Sequence, residues 1–387
     1  MIVRALFLLL LVMMSITATP STLDRMERIK SAVLGEEREY QVHLPDSYRW
    51  AQDRRYPVLY VLDGQTHFFH SAGSVSFLAA EGEIPEMIVV AVTSTVRIRD
   101  FTQTDWASHW VGGGGAGNFK RFLSAELIPE IDRNYRTDGF RILSGHSAGG
   151  QFVLYCLTAE PSLFRGYIAI SPSLDWDNNL PQRSLEESFI STPHLNSFLY
   201  VARADDSGQA LADYERLVET LKSKSPRGIR WHSQPFPDET HGSIPLLAQI
   251  DALRRVYAGY RFHNDMLEKG LSFAEEHFQN VSKTVGWPLA VPEGVINSLG
   301  YAALSEGKIQ NGIALFKRNV EANPYSANAY DSMADGYAEA GMWKEATHAA
   351  ERAVALAVEF DHPSRLYFIE HARKMNDRLK QEHENPK

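Results

Sequence analysis

The run RILSGHSAGGQFVLY at residues 141–155 decides the fold class. Residues 140–143 are a short apolar run of strand character, and residues 150–157 read as a helix beginning just after the G-x-S-x-G centred on Ser147. Strand, turn and helix in that order are the context in which this pentapeptide presents a serine on a strained turn. Gly145 and Gly149 suit such a turn, because neighbours without Cβ let strand, helix and substrate come close. The competing reading is an ordinary serine in a small-residue loop. A bare pentapeptide does not separate the two, so the decision rests on the partners the serine would need.

Outward from this run, strand-like and helix-like segments alternate from Arg25 to about Phe262. Residues 26–34 and 37–44 suggest an opening antiparallel pair; 56–62, 87–92, 140–143, 167–170, 198–202 and 230–236 are further strands. Several are continuous apolar runs, as expected of central strands covered on both faces. Helical patterns occupy 119–135, 150–157, 210–222 and 244–260. This alternation implies an α/β fold with a mostly parallel central sheet, and its ligands are expected beyond the carboxyl ends of the strands.

A serine hydroxyl needs a base to take its proton, normally a histidine oriented by a carboxylate. On a sheet of this kind the chain order is serine, acid, histidine. His194, His232 and His241 follow Ser147 within the α/β part. His232 falls inside a strand, whereas His241 lies in FPDETHGSIP, just past the end of that strand and before a helix, where a base can reach a neighbouring turn. The preceding strand ends in RADDSG and offers Asp205 and Asp206 as the acid. Successive side chains point in different directions, so one of the two is expected to serve; Asp206 is preferred, and an N-cap role suits the other. Two backbone N–H groups must also stabilise the oxyanion. Ala148, which follows the serine, supplies one; Gln65, after the strand end VLYVLDGQ, is the candidate for the second, against a plain strand-end turn.

YPVLYVLDGQ, RIRDFT, the glycine run, GHSAGG, SPSLDW and PDETHGS occur in this order. Together they resemble the esterase D-like serine hydrolases, the group of siderophore esterases, S-formylglutathione hydrolase relatives, feruloyl esterases and mycolyltransferases. The resemblance covers roughly residues 25–262. It implies an α/β-hydrolase fold, Ser147 as nucleophile, His241 as base, and an oxyanion hole from the Asp-Gly-Gln loop and Ala148. The acid departs from the pattern: relatives often carry a glutamate near the position of Asp206, and some work with a weakened acid. The implied activity is hydrolysis of carboxylic esters through an acyl-enzyme, without cofactor or metal, on a small-molecule substrate. Acyl transfer in the same pocket is the alternative, as is an interaction scaffold with a vestigial hydrolase domain.

The remaining features are subordinate. Gly112–Gly115 lack the Gly-Lys-Ser/Thr ending of a phosphate loop and read as a pocket rim. His67 and His70 stand at helical spacing without an evident third metal ligand. Arg97, Arg99 and Asp100 are charges that either pair in a loop or line the pocket. The single cysteine, Cys156, reads as a small core residue.

The chain has 387 residues, 44% hydrophobic and 22% charged, enough for more than one core. A net charge of −9, from 39 Lys and Arg against 48 Asp and Glu, disfavours nucleic acid as a partner. Residues 1–18 have the layout of a signal peptide, with Arg4 before the apolar stretch 5–14; that stretch is short for an uncleaved membrane anchor. Periplasmic or secreted location follows as the expectation. After about Gly270 the strand signal ends. Gly307 and Gly341 stand 34 residues apart (341 − 307), and Leu299, Gly300, Gly312 and Phe316 correspond to Met333, Ala334, Ala346 and Ala350. This resembles two tetratricopeptide repeats with a polar capping helix. The expected division is a signal peptide at 1–18, a hydrolase domain at 24–265, a linker at 266–291 and helical repeats at 292–382, the last serving a protein partner or self-association.

Overall fold

A computed structural model of the chain describes residues 24–108 and 112–384; the candidate signal peptide at 1–18 lies outside them. Among the described residues the strands are β1 (Asp24–Ser31), β2 (Glu36–His43), β3 (Tyr56–Leu62), β4 (Ile88–Val92), β5 (Thr137–His146), β6 (Gly166–Ile170), β7 (Phe198–Arg203) and β8 (Arg230–Pro235). They form one sheet in the order β1-β2-β4-β3-β5-β6-β7-β8, antiparallel at β1–β2 and β2–β4 and parallel elsewhere. Every residue of β3 is buried. Val58, Tyr60 and Leu62 pack into the core on one face, and Leu59 and Val61 into the core on the other, which is why its sequence is an unbroken apolar run.

The helices between strands are α1 (Gly64–Ala80), α2 (Arg97–Phe101), α3 (Ala116–Phe122), α4 (Ile128–Asn134), α5 (Ala148–Ala159), α6 (Trp176–Ser191), α7 (Gly208–Lys224) and α8 (Ile244–Val256). A π turn at Leu123–Leu127 joins α3 to α4, so the single helix expected at 119–135 is one run with a widened turn. Phe68, Val75 and Leu78 of α1 and Ile244, Ala248 and Leu253 of α8 cover one sheet face; Phe119, Phe152, Leu185 and Leu217 cover the other. The buried Cys156 belongs to this second core. This is an α/β-hydrolase fold. The strand order reverses around β3: the chain leaves it toward β4 on one side and returns as β5 on the other. The crevice at such a switch point is the default ligand site, and here it lies between Gly64–Gln65 and Ser147.

The carboxyl-terminal part is all helical: α9 (Gly270–Val285), α10 (Glu293–Ser305), α11 (Ile309–Ala322), α12 (Ala327–Glu339), α13 (Trp343–Glu359) and α14 (Arg365–Glu384). The stretch expected as a linker at 266–291 therefore carries a helix. Ala274, Phe278, Val281 and Val285 of α9 are buried, with Phe278, Val281 and Val285 in the α1–α8 core. Gly307 and Gly341, 34 residues apart (341 − 307), are two similar helix stops. Gly307 (φ 73°) and Gly341 (φ 71°) are left-handed, and after each the chain closes back on the helix, Lys308 N–H on Ala303 O and Met342 N–H on Tyr337 O, both at 2.9 Å. Gly300 and Gly336 both lie against the Phe316 ring, so a Cβ at either would collide with it.

The helical part meets the α/β part at the amino ends of β3 and β5. Trp287 Nε1 donates to Asp138 Oδ2 at 3.2 Å, Arg54 Nη2 donates to Asn323 Oδ1 at 3.1 Å, and the Trp50 and His362 rings are 4.7 Å apart. This is the opposite end of the sheet from Ser147. Among the described residues no helix is long and apolar enough to cross a membrane.

Candidate active site

Ser147 has φ 60° and ψ −119°, a conformation that non-glycine residues adopt only when their surroundings enforce it. Three main-chain bonds enforce it here: Ser147 N–H donates to Ile170 O at 2.9 Å, and Ser147 O accepts from Gln151 N at 3.0 Å and Ser173 N at 3.1 Å. A Cβ at Gly145 would collide with the Gly149 carbonyl, and one at Gly150 would lie 3.0 Å from Pro172 Cα. One at Gly149 would make only ordinary contacts, at 3.5 Å from Asp63 Oδ2. After Gly145, the tightest glycine of the turn is therefore Gly150, not the Gly149 of the pentapeptide.

Ser147 heads α5, so Ala148 N–H belongs to the first turn and has no intrahelical acceptor. Gln65 stands likewise in the first turn of α1. Asp63 precedes it in the left-handed region (φ 54°, ψ 48°), and its carbonyl takes the N–H groups of Thr66 and His67 at 2.9 and 3.1 Å, leaving the Gln65 amide uncommitted within the helix. A Cβ at Gly64 would lie 2.8 Å from the Ala91 carbonyl carbon and oxygen, so a glycine is required for this turn to pack on β4. Two helix N-termini thus converge on the crevice beside Ser147, where their dipoles favour developing negative charge.

His241 is exposed on a tight turn in which Thr240 N–H donates to Ser243 Oγ at 3.0 Å and Ser243 N–H donates to Thr240 O at 3.1 Å. Its ring lies 4.6 Å from that of His146, the residue before Ser147. A cavity of about 210 Å³ is lined by His241, Asp206, Ser173, Arg203 and Tyr214, among others, and Ser173 Oγ is 3.4 Å from Ser147 Oγ. The expected residues are thereby gathered at one end of the sheet, although among the described residues no hydrogen bond joins His241 to Ser147 or to an aspartate. The two aspartates differ in placement. Asp206 is half-buried in the cavity wall; Asp205 is exposed, with its N–H donating to Glu239 O at 2.9 Å. Ser173 was not singled out by sequence reasoning; its signal was its place in SPSLDW, directly after β6.

Behind the base stands a row of histidines. His67 contacts His146 ring to ring at 5.7 Å, and His67 Nδ1 is 2.9 Å from His70 Nε2. A hydrogen-bonded pair cannot turn the same nitrogens toward one metal, and among the described residues no set of three His, Cys, Asp or Glu is arranged to hold a metal ion. Burial pushes His146 down to about 3, helped by the neighbouring His241, and His70 down to about 4; burial also lowers His67. The unfolded chain therefore binds more protons than the folded one as pH falls from 6.5 to about 4, the window set by His70, and stability is lost across it. We expect the melting temperature of His70→Gln to fall less between pH 7 and about pH 4.5 than that of the wild type. Thermal melts across that range check this, and parallel declines would contradict it.

Among known proteins, residues 31–222 match the family described as "Putative esterase". The chain is 30% identical over 251 residues to the ferri-bacillibactin esterase BesA of Bacillus subtilis, covering 57% of this chain and 85% of that protein. It is 27% identical over 230 residues to the apo-salmochelin esterase of Escherichia coli, covering 54% and 71%. An IroE-like serine hydrolase from Shewanella oneidensis superposes with a TM-score of 0.67 at 27% identity, over 73% of this chain and 95% of that one. A protein from Capnocytophaga ochracea shares the fold over 86% of this chain and 93% of its own, with a TM-score of 0.60 at 19% identity.

Proposed function

Because this chain belongs to the esterase family of serine hydrolases, cleaving carboxylic ester bonds, we propose that it does so through an acyl-enzyme on Ser147. His241 takes the Ser147 proton as the hydroxyl attacks the ester carbonyl. The amides of Gln65 and Ala148 receive the oxyanion, and His241 returns the proton to the leaving alcohol. Water then attacks the acyl group by the same route in reverse. Asp206 is the acid that orients His241, since it shares the cavity wall with it while Asp205 faces solvent. The observation that carries this reading is the strained backbone of Ser147 at the head of α5.

Siderophore esters are the first substrates to test, because several relatives are named as esterases of ferri-bacillibactin, apo-salmochelin and other siderophores. A panel of siderophore lactones, aryl esters and thioesters, run with and without an added alcohol, tests both substrate class and acceptor. Turnover of esters to free acid supports hydrolysis; product carried by the alcohol at the expense of acid would favour the acyltransferase reading. Export, with removal of residues 1–18, is part of the proposal and is checked by N-terminal sequencing of the protein from a periplasmic fraction.

The helices from 292 onward are proposed to act as tetratricopeptide-like repeats that add recognition or self-association without chemistry. Asn323 and His362 attach them at the amino ends of the strands, to Arg54 and Trp50, so a chain ending at Val291 is expected to keep near wild-type hydrolysis of a small activated ester. A chain ending at Phe262 removes α9 from the core and is expected to be markedly less soluble. Circular dichroism and ester assays on both check this. A well-folded but inactive 291-residue chain would contradict the division.

A further inference from the structure

Two strained, non-glycine turns carry the candidate oxyanion donors: Asp63, two residues before Gln65, and Ser147, directly before Ala148. Neither turn is held by a side-chain cap of its own helix. One guanidinium spans both. Arg97 Nε donates to Asp63 Oδ1 and Oδ2 at 3.1 and 2.9 Å, and Arg97 Nη2 donates to the main-chain carbonyl of His146, which leads into Ser147, at 2.9 Å. Asp63 is almost fully buried, so the bond is made where water competes weakly.

Arg97 is itself held from behind. It opens α2, whose Asp100 is buried against the fully buried Arg38, while Arg99 pairs with Glu36 at 2.6 Å. The Arg97 guanidinium also lies over the Phe101 ring, 5.8 Å from its centre. A planar, multiply donating group suits such a bridge, because it can serve a carboxylate along one edge and a carbonyl from another.

We propose that Arg97 is a positioning residue of the oxyanion hole: by tying the Asp63 turn to the His146 carbonyl, it sets the spacing between the amides of Gln65 and Ala148. The proposal rests on the serine-esterase reading and adds to it the element that holds its two halves together. Donors of this kind act only when aimed at the place where charge develops, so loosening the bridge should weaken transition-state binding and leave ground-state binding of a neutral ester largely intact.

The test compares wild type, Arg97→Lys and Arg97→Ala on a neutral aryl ester and on an ester carrying a carboxylate, with folding followed by near-ultraviolet circular dichroism. Affinity for a trifluoromethyl ketone, which forms an oxyanion-bearing adduct with the serine, is measured alongside. For Arg97→Ala we expect kcat on the neutral ester to fall roughly 10- to 100-fold with KM little changed, and ketone affinity to fall in parallel. Added guanidinium should restore part of the rate. Arg97→Lys, which keeps the charge but not the two-sided bridge, should fall between; it carries the test should the alanine variant fail to fold. A loss confined to KM for the anionic ester would overturn the proposal and make Arg97 a substrate contact. Equal ketone affinity in all three proteins would overturn it too. Inactivity of the wild type on both esters would instead overturn the esterase reading, and the proposal with it.

Discussion

Ser147→Ala is expected to lose at least about a thousandfold in turnover while staying folded, because removing the nucleophile disables the whole constellation. Among the described residues the hydrogen bond of the Ser147 side chain is a long one, 3.4 Å from Oγ to Ser173 Oγ, so little is lost with it. The turn is held by main-chain bonds to Ile170, Gln151 and Ser173, which alanine keeps. The strained φ of 60° is borne by the native serine already, so alanine adds no new backbone conformation. Steady-state assays on a neutral aryl ester, with a thermal melt alongside, check both halves of this expectation. Near-normal hydrolysis by the pure variant would remove Ser147 from the mechanism.

His241→Ala is expected to fall about as far, since nucleophile and base act as one unit. Its ring is exposed and rests on His146, and the turn that carries it is closed by Thr240 and Ser243, so the fold should survive its removal. The aspartates should separate. Asp206→Ala should cost roughly 10- to 100-fold, less than loss of the base, and Asp205→Ala should stay near wild type. Rates for the three variants decide the assignment. A harmless Asp206→Ala together with a crippled Asp205→Ala would reverse it, and two harmless variants would leave a serine–histidine pair.

The central strands β3, β4, β6 and β7 were legible because each is an apolar run bounded by polar turns, and burial on both sheet faces writes itself into composition, as in β3. The helix α1 was missed: it begins at the glycine turn read as a strand end, and its mixture of Ser, His, Gly and Phe lacks a clear apolar face, since the helix is half covered by α8. Three consecutive left-handed residues, Asp177 to Asn179, interrupt α6 near its start, which hid that helix as well. The segment 266–291 read as a linker because Trp287 and Pro288 follow α9, while its docking side chains Phe278 and Val281 have their partners far away in sequence. At the candidate site, the placement of Ser147 and His241 at one end of the sheet was readable because each stands just past a strand end. The bridging role of Arg97 was not, because it depends on a carbonyl 49 residues away (146 − 97) that no residue type announces.

The most direct test of the acyl-enzyme on Ser147 is acid quench of the wild-type protein during turnover of a slow aryl ester, followed by tryptic digestion and mass spectrometry. Cleavage after Arg141 and Arg165 isolates the peptide 142–165. The account predicts one acyl group on that peptide, fragmenting to Ser147, appearing at the rate of the burst and decaying at the rate of turnover. Acyl label on another residue, or full turnover with peptide 142–165 unmodified at every quench time, would contradict it.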